Sequence, residues 1–309
     1  MNIKKLFILG LRAIILTVLL FICFAVAAVI SGTSDGSHQS SSSPQTSTEQ
    51  GSTALALLVV CLVDVLIIMY IIERSRWRGL RLAASIFIIF YGTMTVMPQI
   101  ESAIFITRLP AGVLPGLFMM GAIIAALFSP LAVMIMGKWK QTTPDQQSTT
   151  RLVMPASEWA WKLAAIAIAY LLLYFTFGYF IAWVNPSIRE YYGGDTPAGF
   201  FAHLLTLLRD TPWLFVIQLL RGLMWALLAL PLIRLMKGDW WEAALAVSLV
   251  FAVVMNVQLL LPNPYMPEDV RMIHLIETAS SNFILGWLIV WLLTRQRKPA
   301  MSAKLPATA

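Results

Sequence analysis

The sequence predicts an all-α fold: a polytopic helical membrane protein of about eight transmembrane helices with one short interfacial helix. Three observations carry this. Of 309 residues, 59% are hydrophobic and only 12% charged, whereas ordinary soluble domains are about 25% charged. Stretches of about 20 apolar residues recur along the chain, each long enough to cross a bilayer core as a helix that satisfies its own backbone. Lys and Arg collect at the ends of these stretches, mostly on one side. The whole chain, 1–309, reads as a single transmembrane domain, with no repeat and no segment large enough for a soluble domain.

The first stretch, 6–30, follows Lys4 and Lys5. Ala25-Val26-Ala27 fits a signal-peptide cleavage pattern, but the run is long for a signal and Arg12 interrupts it, so a retained helix is favoured. Residues 31–52 are Ser/Thr/Gly-rich without Lys or Arg and read as a flexible external loop. Gly32-Thr33-Ser34-Asp35-Gly36 matches a hydrolase nucleophile pattern, which has meaning only at a strand-to-helix turn; here it is coincidence. The second stretch, 53–72, carries Asp64 near its middle and is followed by Arg74, Arg76, Arg78 and Arg81.

The third, 82–104, has Pro98 near its far end, where a proline frees a carbonyl and can kink a helix. The fourth, 111–136, contains Gly112-x-x-x-Gly116, a weak signal for close helix contact because Pro115 intervenes. A polar loop, 138–155, leads to Ser157, a plausible cap for the fifth stretch, 158–184. Asn185-Pro186 breaks that helix, and the turn formers that follow read as loop. Residues 200–210 are amphipathic and predict a helix lying on the membrane surface, so 185–211 is an external loop with an interfacial helix. The sixth stretch is 212–236. Asp239 and Glu242 resemble a capping box for the seventh, which ends near 261. Pro262, Pro264 and Pro267 then punctuate a short loop. The eighth is 267–293, and 299–309 reads as a disordered cytoplasmic tail.

The basic residues orient the chain. With the N-terminus in the cytoplasm, Lys4, Lys5, the group from Arg74 to Arg81, Lys138, Lys140, Arg151, Lys162, Arg234, Lys237, Arg295, Arg297, Lys298 and Lys304 fall inside. Only Arg108, Arg189, Arg209 and Arg271 fall outside. The expectation is a multi-pass protein of the cell inner membrane with both termini cytoplasmic. The net charge of +7 then implies anionic lipid headgroups as partners rather than nucleic acid. Cys23 and Cys61 lie within apolar stretches and read as packing residues.

The eighth stretch is the unusual one. Arg271, His274, Glu277, Thr278, Ser281 and Asn282 lie within an arc from about −60° to about +80° around His274 at 100° per residue. Polar groups at membrane depth face a bundle interior or a water-filled cavity. The topology puts Gln99, Glu101, Asn256, Gln258, His274 and Glu277 at outer helix ends, and Arg221 roughly 14 Å below the outer surface. The candidate polar pocket is therefore Gln99, Glu101, Arg221, Asn256, His274, Glu277, Ser281 and Asn282, with helix three brought beside helix eight.

Each group has a blander reading. Arg221 needs a counter-ion, for which Glu101, Glu277 and Asp64 are the candidates, and a structural ion pair explains it as well as a ligand does. His274 and Glu277, at i, i+3, suit a proton relay or a metal. With only three histidines in the chain, one of them His38 in the flexible loop, a hydrogen-bonded interfacial histidine outweighs the metal. Tyr191 and Tyr192 read as interface anchors rather than a ligand platform. No zinc-protease, Walker A or C-x-x-C pattern occurs, and no cofactor or metal is expected. The sequence ranks a non-catalytic small-solute or lipid-handling carrier first. An intramembrane enzyme acting on a lipid or lipid-linked group comes next, followed by a partner subunit that presents 185–211 to another envelope protein.

Overall fold

The structure is a computed structural model that describes residues 3–32, 47–106, 109–140, 152–194 and 199–295. In chain order its helices are α1 (Ile3–Ser31), α2 (Ser47–Arg74), α3 (Gly79–Phe105), α4 (Val113–Ile135) and α5 (Ala156–Trp183). They continue with α6 (Pro186–Tyr192), α7 (Phe200–Asp210), α8 (Pro212–Leu235), α9 (Trp240–Leu260) and α10 (Glu268–Thr294). Among the described residues, all except α6 and α7 are long and apolar enough to cross a membrane. The chain is an all-α, multi-pass membrane protein. Its outer surface agrees: α1 exposes Leu11, Ile15 and Val18, and α2 exposes Leu55, Leu62 and Leu66. A fold in water would not leave such faces bare, whereas lipid covers them.

Helices α1, α2, α3 and α4 form one side of the bundle, with α4 packed on both α1 and α3. Helices α5, α8, α9 and α10 form the other, α8 lying on α5 and α10 on α9 and α5. Two glycines permit backbone to meet backbone between helices. A Cβ on Gly222 would stand 2.8 Å from Ala167 Cα, and one on Gly286 would stand 2.7 Å from Ser248 Cα. Small residues let backbones approach where lipid offers no hydrophobic drive for helix association. Within the second side Trp225 of α8 packs on Phe251 of α9, ring centres 4.3 Å apart, and both are fully buried.

The basic end of the bundle is tied by its own charges. Lys138 Nζ donates to the carbonyls of Glu73 (3.2 Å) and Ser75 (3.1 Å), closing the end of α2. Burial, with Lys237 and Arg78 nearby, lowers its pKa. Lys162 Nζ donates to the Arg295 carbonyl at the end of α10 (2.7 Å) and pairs with Glu158 (2.8 Å). A cation at a helix C-terminus meets both orphan carbonyls and the negative end of the dipole. Arg74 forms an ion pair with Glu242, beside an antiparallel bridge between Ser75 and Met236.

Several local expectations are corrected. Ser157 is not a cap; Pro155 holds the N-cap of α5 and α5 starts one residue before Ser157. Asp239 does occupy the N-cap of α9, but its side chain makes no cap bond, and Glu242 is drawn to Arg74, so no capping box closes. Gly112 lies outside α4 at φ +92°, as its N-cap, so it cannot form a helical contact stripe with Gly116. The presumed loop 185–199 contains α6, which Asn185 caps by accepting from Ser187 N (3.1 Å). Helix α2 starts at Ser47, shortening the 31–52 loop; residues 33–46 and the tail 299–309 lie outside the described residues, as do Arg108 and His38.

Three spanning helices contain a π turn: Gly92–Val96 in α3, Gly178–Trp183 in α5 and Val250–Val254 in α9. The first explains how the chain accommodates Pro98. The Met94 carbonyl, four residues back, receives no hydrogen bond from a proline nitrogen; Gln258 Nε2 of α9 donates to it at 3.0 Å instead.

Candidate functional site

The polar groups converge where α3, α5, α8, α9 and α10 face one another, towards the α6/α7 end of the bundle. Arg221, on α8, is 1% exposed. Its Nη1 lies 2.6 Å from Glu101 Oε1 and 2.9 Å from Gln218 Oε1. Tyr170 of α5 covers one face of the guanidinium, ring centre 5.5 Å from Cζ. A buried arginine cannot shed its charge, so these contacts are what make it tolerable at membrane depth. Glu277, the other expected partner, turns to His274 instead, and Asp64 lies on α2 outside the cavity. Both Asp64 carboxyl oxygens are buried and have no hydrogen-bond partner among the described residues.

Along α10 the expected arc is an interior face. His274 Nδ1 lies 2.8 Å from Glu277 Oε2, and its Nε2 lies 3.1 Å from the Tyr192 hydroxyl. Burial, then the charges of Glu101 and Glu277, push the Tyr192 phenol above its ordinary pKa. It therefore keeps its proton, and in the tautomer of His274 with its proton on Nδ1 it donates to Nε2 while Nδ1–H donates to Glu277. The result is a three-member chain, Tyr192–His274–Glu277. One turn on, the Thr278 hydroxyl donates to Asn256 Oδ1 (2.5 Å), and Asn282 Nδ2 reaches Met255 Sδ (3.1 Å). Arg271 differs from its neighbours: it donates to the Leu259 and Leu261 carbonyls and so closes the end of α9.

A small cavity joins the two clusters. Glu101, Arg221, Glu277, Thr278, Ser281 and Asn282 line it, with Tyr170, Leu173, Tyr174 and Met255. Its free space is about that of one water molecule. Of the residues expected from sequence, Glu101, Arg221, Glu277, Ser281 and Asn282 meet in this cavity. His274 and Asn256 stand one hydrogen bond behind it. Gln99 does not reach it, and its Oε1 is buried without a partner among the described residues. Helix α3 is not the immediate neighbour of α10 that was expected. Helices α9 and α5 flank α10, and α3 reaches the site across the cavity through Glu101. Tyr192 of α6 spans that gap, its ring edge-on to Phe105 of α3 (6.2 Å) while its hydroxyl meets His274.

Sequence reasoning missed Tyr170 and Tyr174, although a signal was present: they sit four residues apart near the middle of Ala156–Trp183, where no interfacial belt can be. Tyr192 was read as an interface anchor rather than part of a ligand platform; its hydroxyl instead meets His274, a placement hidden because α6 itself was read as loop.

The π turns are the local devices that aim these groups. Gly178, first residue of the α5 turn, lies against Glu277, whose Oε1 would be 3.4 Å from a Cβ there. The α9 turn immediately precedes Met255 and Asn256, and the α3 turn contains Met94. An extra residue in a helix turn offsets everything beyond it and frees backbone groups, which is why such turns recur at functional sites. Among the described residues no three His, Cys, Asp or Glu side chains converge as a metal-binding group would. No protein-family model, no curated protein and no solved structure matches this chain.

Proposed function

We propose that this is a carrier of the bacterial inner membrane, with both termini cytoplasmic, whose cavity is an outward-facing pocket for a small polar solute or a lipid headgroup. One observation carries the reading: Arg221, Glu101 and Glu277 share a single buried cavity near the α6/α7 end. At the opposite end Lys138 and Lys162 close helix termini instead, and Arg74 is paired with Glu242. Charged side chains held at depth around a common space, rather than spent on helix ends, are what a polar ligand requires. The three π turns lie in three walls of this space and give those walls places to bend. Helix α7 has no buried residue and exposes Phe201, Leu205 and Leu208, which supports its lying against lipid beside the pocket.

The test is access. In a background with Cys23→Ala and Cys61→Ala, Ser281→Cys should react with a membrane-impermeant maleimide added from outside. Ser248→Cys, packed against α10, should not. Absence of reaction at Ser281→Cys sinks the reading.

One observation favours the intramembrane enzyme instead. Tyr192, His274 and Glu277 form the arrangement in which a carboxylate orients a histidine and the histidine handles a hydroxyl proton. Incubating purified protein with lipid extract and analysing it by mass spectrometry separates the readings. A product formed by the natural chain and not by His274→Gln supports the enzyme.

A further inference from the structure

We propose that the pocket holds its ligand by an oxyanion, a carboxylate or a phosphate, seated on the Nε–Nη2 edge of Arg221. The proposal rests on the pocket reading above and adds the chemistry of the ligand. A guanidinium carries five N–H donors in a fixed planar fork. Both acceptors found by Arg221, Glu101 Oε1 and Gln218 Oε1, sit on Nη1. Nε and Nη2 are buried and have no acceptor among the described residues. These two nitrogens form one edge with two parallel N–H bonds, the geometry that takes a carboxylate or phosphate two-pronged. Gln218 Nε2, one helical turn away, is a third buried donor without an acceptor. All three unmet groups are donors, so the complement is an acceptor, and beside a guanidinium the best acceptor is an anion.

The surroundings favour a ligand over a purely structural role. Tyr170 fixes the plane of the fork, and the close approach at Gly222 holds α8 against α5 beneath it. Glu101 is the exposed partner of the pair, its side chain 28% accessible against 1% for Arg221. The cavity itself has room for about one water molecule, so withdrawal of Glu101, which lines it, is what makes room for an oxyanion beside the more deeply buried Arg221. Glu101 thus serves as a tethered counter-ion that keeps Arg221 neutralised in the empty pocket and yields when an external oxyanion arrives. Glu277 does not compete, since it is engaged by His274.

A free solute and a lipid phosphate share this chemistry, and one experiment separates them. Full-length Ser281→Cys protein, with Cys23→Ala and Cys61→Ala, is held in dodecyl maltoside micelles, which carry no phosphate, and its maleimide labelling rate measured. Sodium phosphate, sodium acetate and choline chloride are added at matched chloride concentration. A parallel sample adds phosphatidylglycerol to the micelles. Phosphate or acetate should slow labelling if the ligand is a solute; phosphatidylglycerol should slow it if the ligand is a lipid. Either protection should require about tenfold more anion in Arg221→Lys, which keeps the charge and loses the fork. Gln218→Leu, which leaves Arg221 and its ion pair in place, should weaken protection about threefold and serves where Arg221→Lys does not fold. Labelling that no anion and no phosphatidylglycerol slows, or that choline slows instead, overturns the oxyanion while leaving the pocket standing. So does protection that both variants retain in full. No labelling under any condition removes the pocket, and the proposal with it.

Discussion

Arg221 Nη1 and Glu101 Oε1 stand 2.6 Å apart, so the interior of α8 is pinned to the far end of α3. Neither helix is a sequence neighbour of the other. Removing Glu101 strands the guanidinium in a site that water reaches poorly, and removing Arg221 leaves the half-buried Glu101 without its cation.

The first expected outcome follows from that asymmetry. Arg221→Met alone leaves Glu101 beside Tyr170 and Glu277 without its cation, and Glu101→Leu alone leaves a buried guanidinium. Each single variant should lose several kcal/mol of stability, and the double variant should recover part of it. Thermal unfolding of detergent-purified protein measures this. Additive losses would show that the two residues are not coupled.

Topology can be read independently. Thr142, between α4 and α5, should be cytoplasmic, and Thr196, between α6 and α7, external. In the cysteine-free background, impermeant reagent added outside should label Thr196→Cys and spare Thr142→Cys. The reverse pattern refutes the orientation.

The bond from Gln258 to the Met94 carbonyl compensates for Pro98. Gln258→Leu should cost about 1–3 kcal/mol by leaving that carbonyl unmet. Pro98→Ala supplies a backbone N–H in its place, so adding it to Gln258→Leu should restore part of the loss. If Pro98→Ala makes no difference in that background, the carbonyl does not depend on Gln258.

Helix α7 should respond to mild acid. His203 packs against Trp183 and Tyr179, ring centres 5.0 and 5.6 Å away, and burial lowers its pKa from the ordinary 6.5. Just below 6.5 the undocked state binds more protons than the docked one, so docking strengthens as pH rises through that window and weakens as pH falls through it. Hydrogen exchange of residues 200–210, corrected for its intrinsic pH dependence, should quicken from about pH 7 to about pH 5.5. His203→Phe should flatten the response. An unchanged response in His203→Phe assigns the effect elsewhere.

Metal content separates a relay from a metal site at His274 and Glu277. Elemental analysis of purified protein should find no stoichiometric transition metal, and His274→Ala should not change the content. One equivalent of zinc lost in His274→Ala would reverse this.

What could be read from sequence divides along physical lines. The spans were legible because hydrocarbon demands length and apolarity, and the interfacial helix because Phe201, Leu205 and Leu208 recur at helical spacing against His203, Thr206 and Asp210. The arc on α10 was legible because a polar group costs too much in lipid to lie there by chance. Which helices meet was not, because any of several packings buries the same arc. Hence α3 was expected beside α10, whereas α9 and α5 flank it. The π turns left no signature, since Gly92–Val96 and Val250–Val254 have the composition of any apolar helix. Helix α6 was hidden by its short length and by the turn formers Asn185, Pro186 and Gly193, which are in fact its N-cap, first residue and C-cap.

The three π turns make the pocket depend on counting as well as on chemistry. Each π turn fits one more residue into about the same sweep as an ordinary turn. Straightening it at constant length would therefore rotate everything beyond it by about 100°. In α9 that would swing Asn256 and Gln258 away from Thr278 and Met94 without altering a single polar side chain. Deleting Val253 as the turn straightens would instead keep both on their present faces. At this turn the chain should therefore tolerate the loss of one residue better than a same-length change that enforces regular helix, whereas one residue lost from a regular stretch of a spanning helix turns every face beyond it.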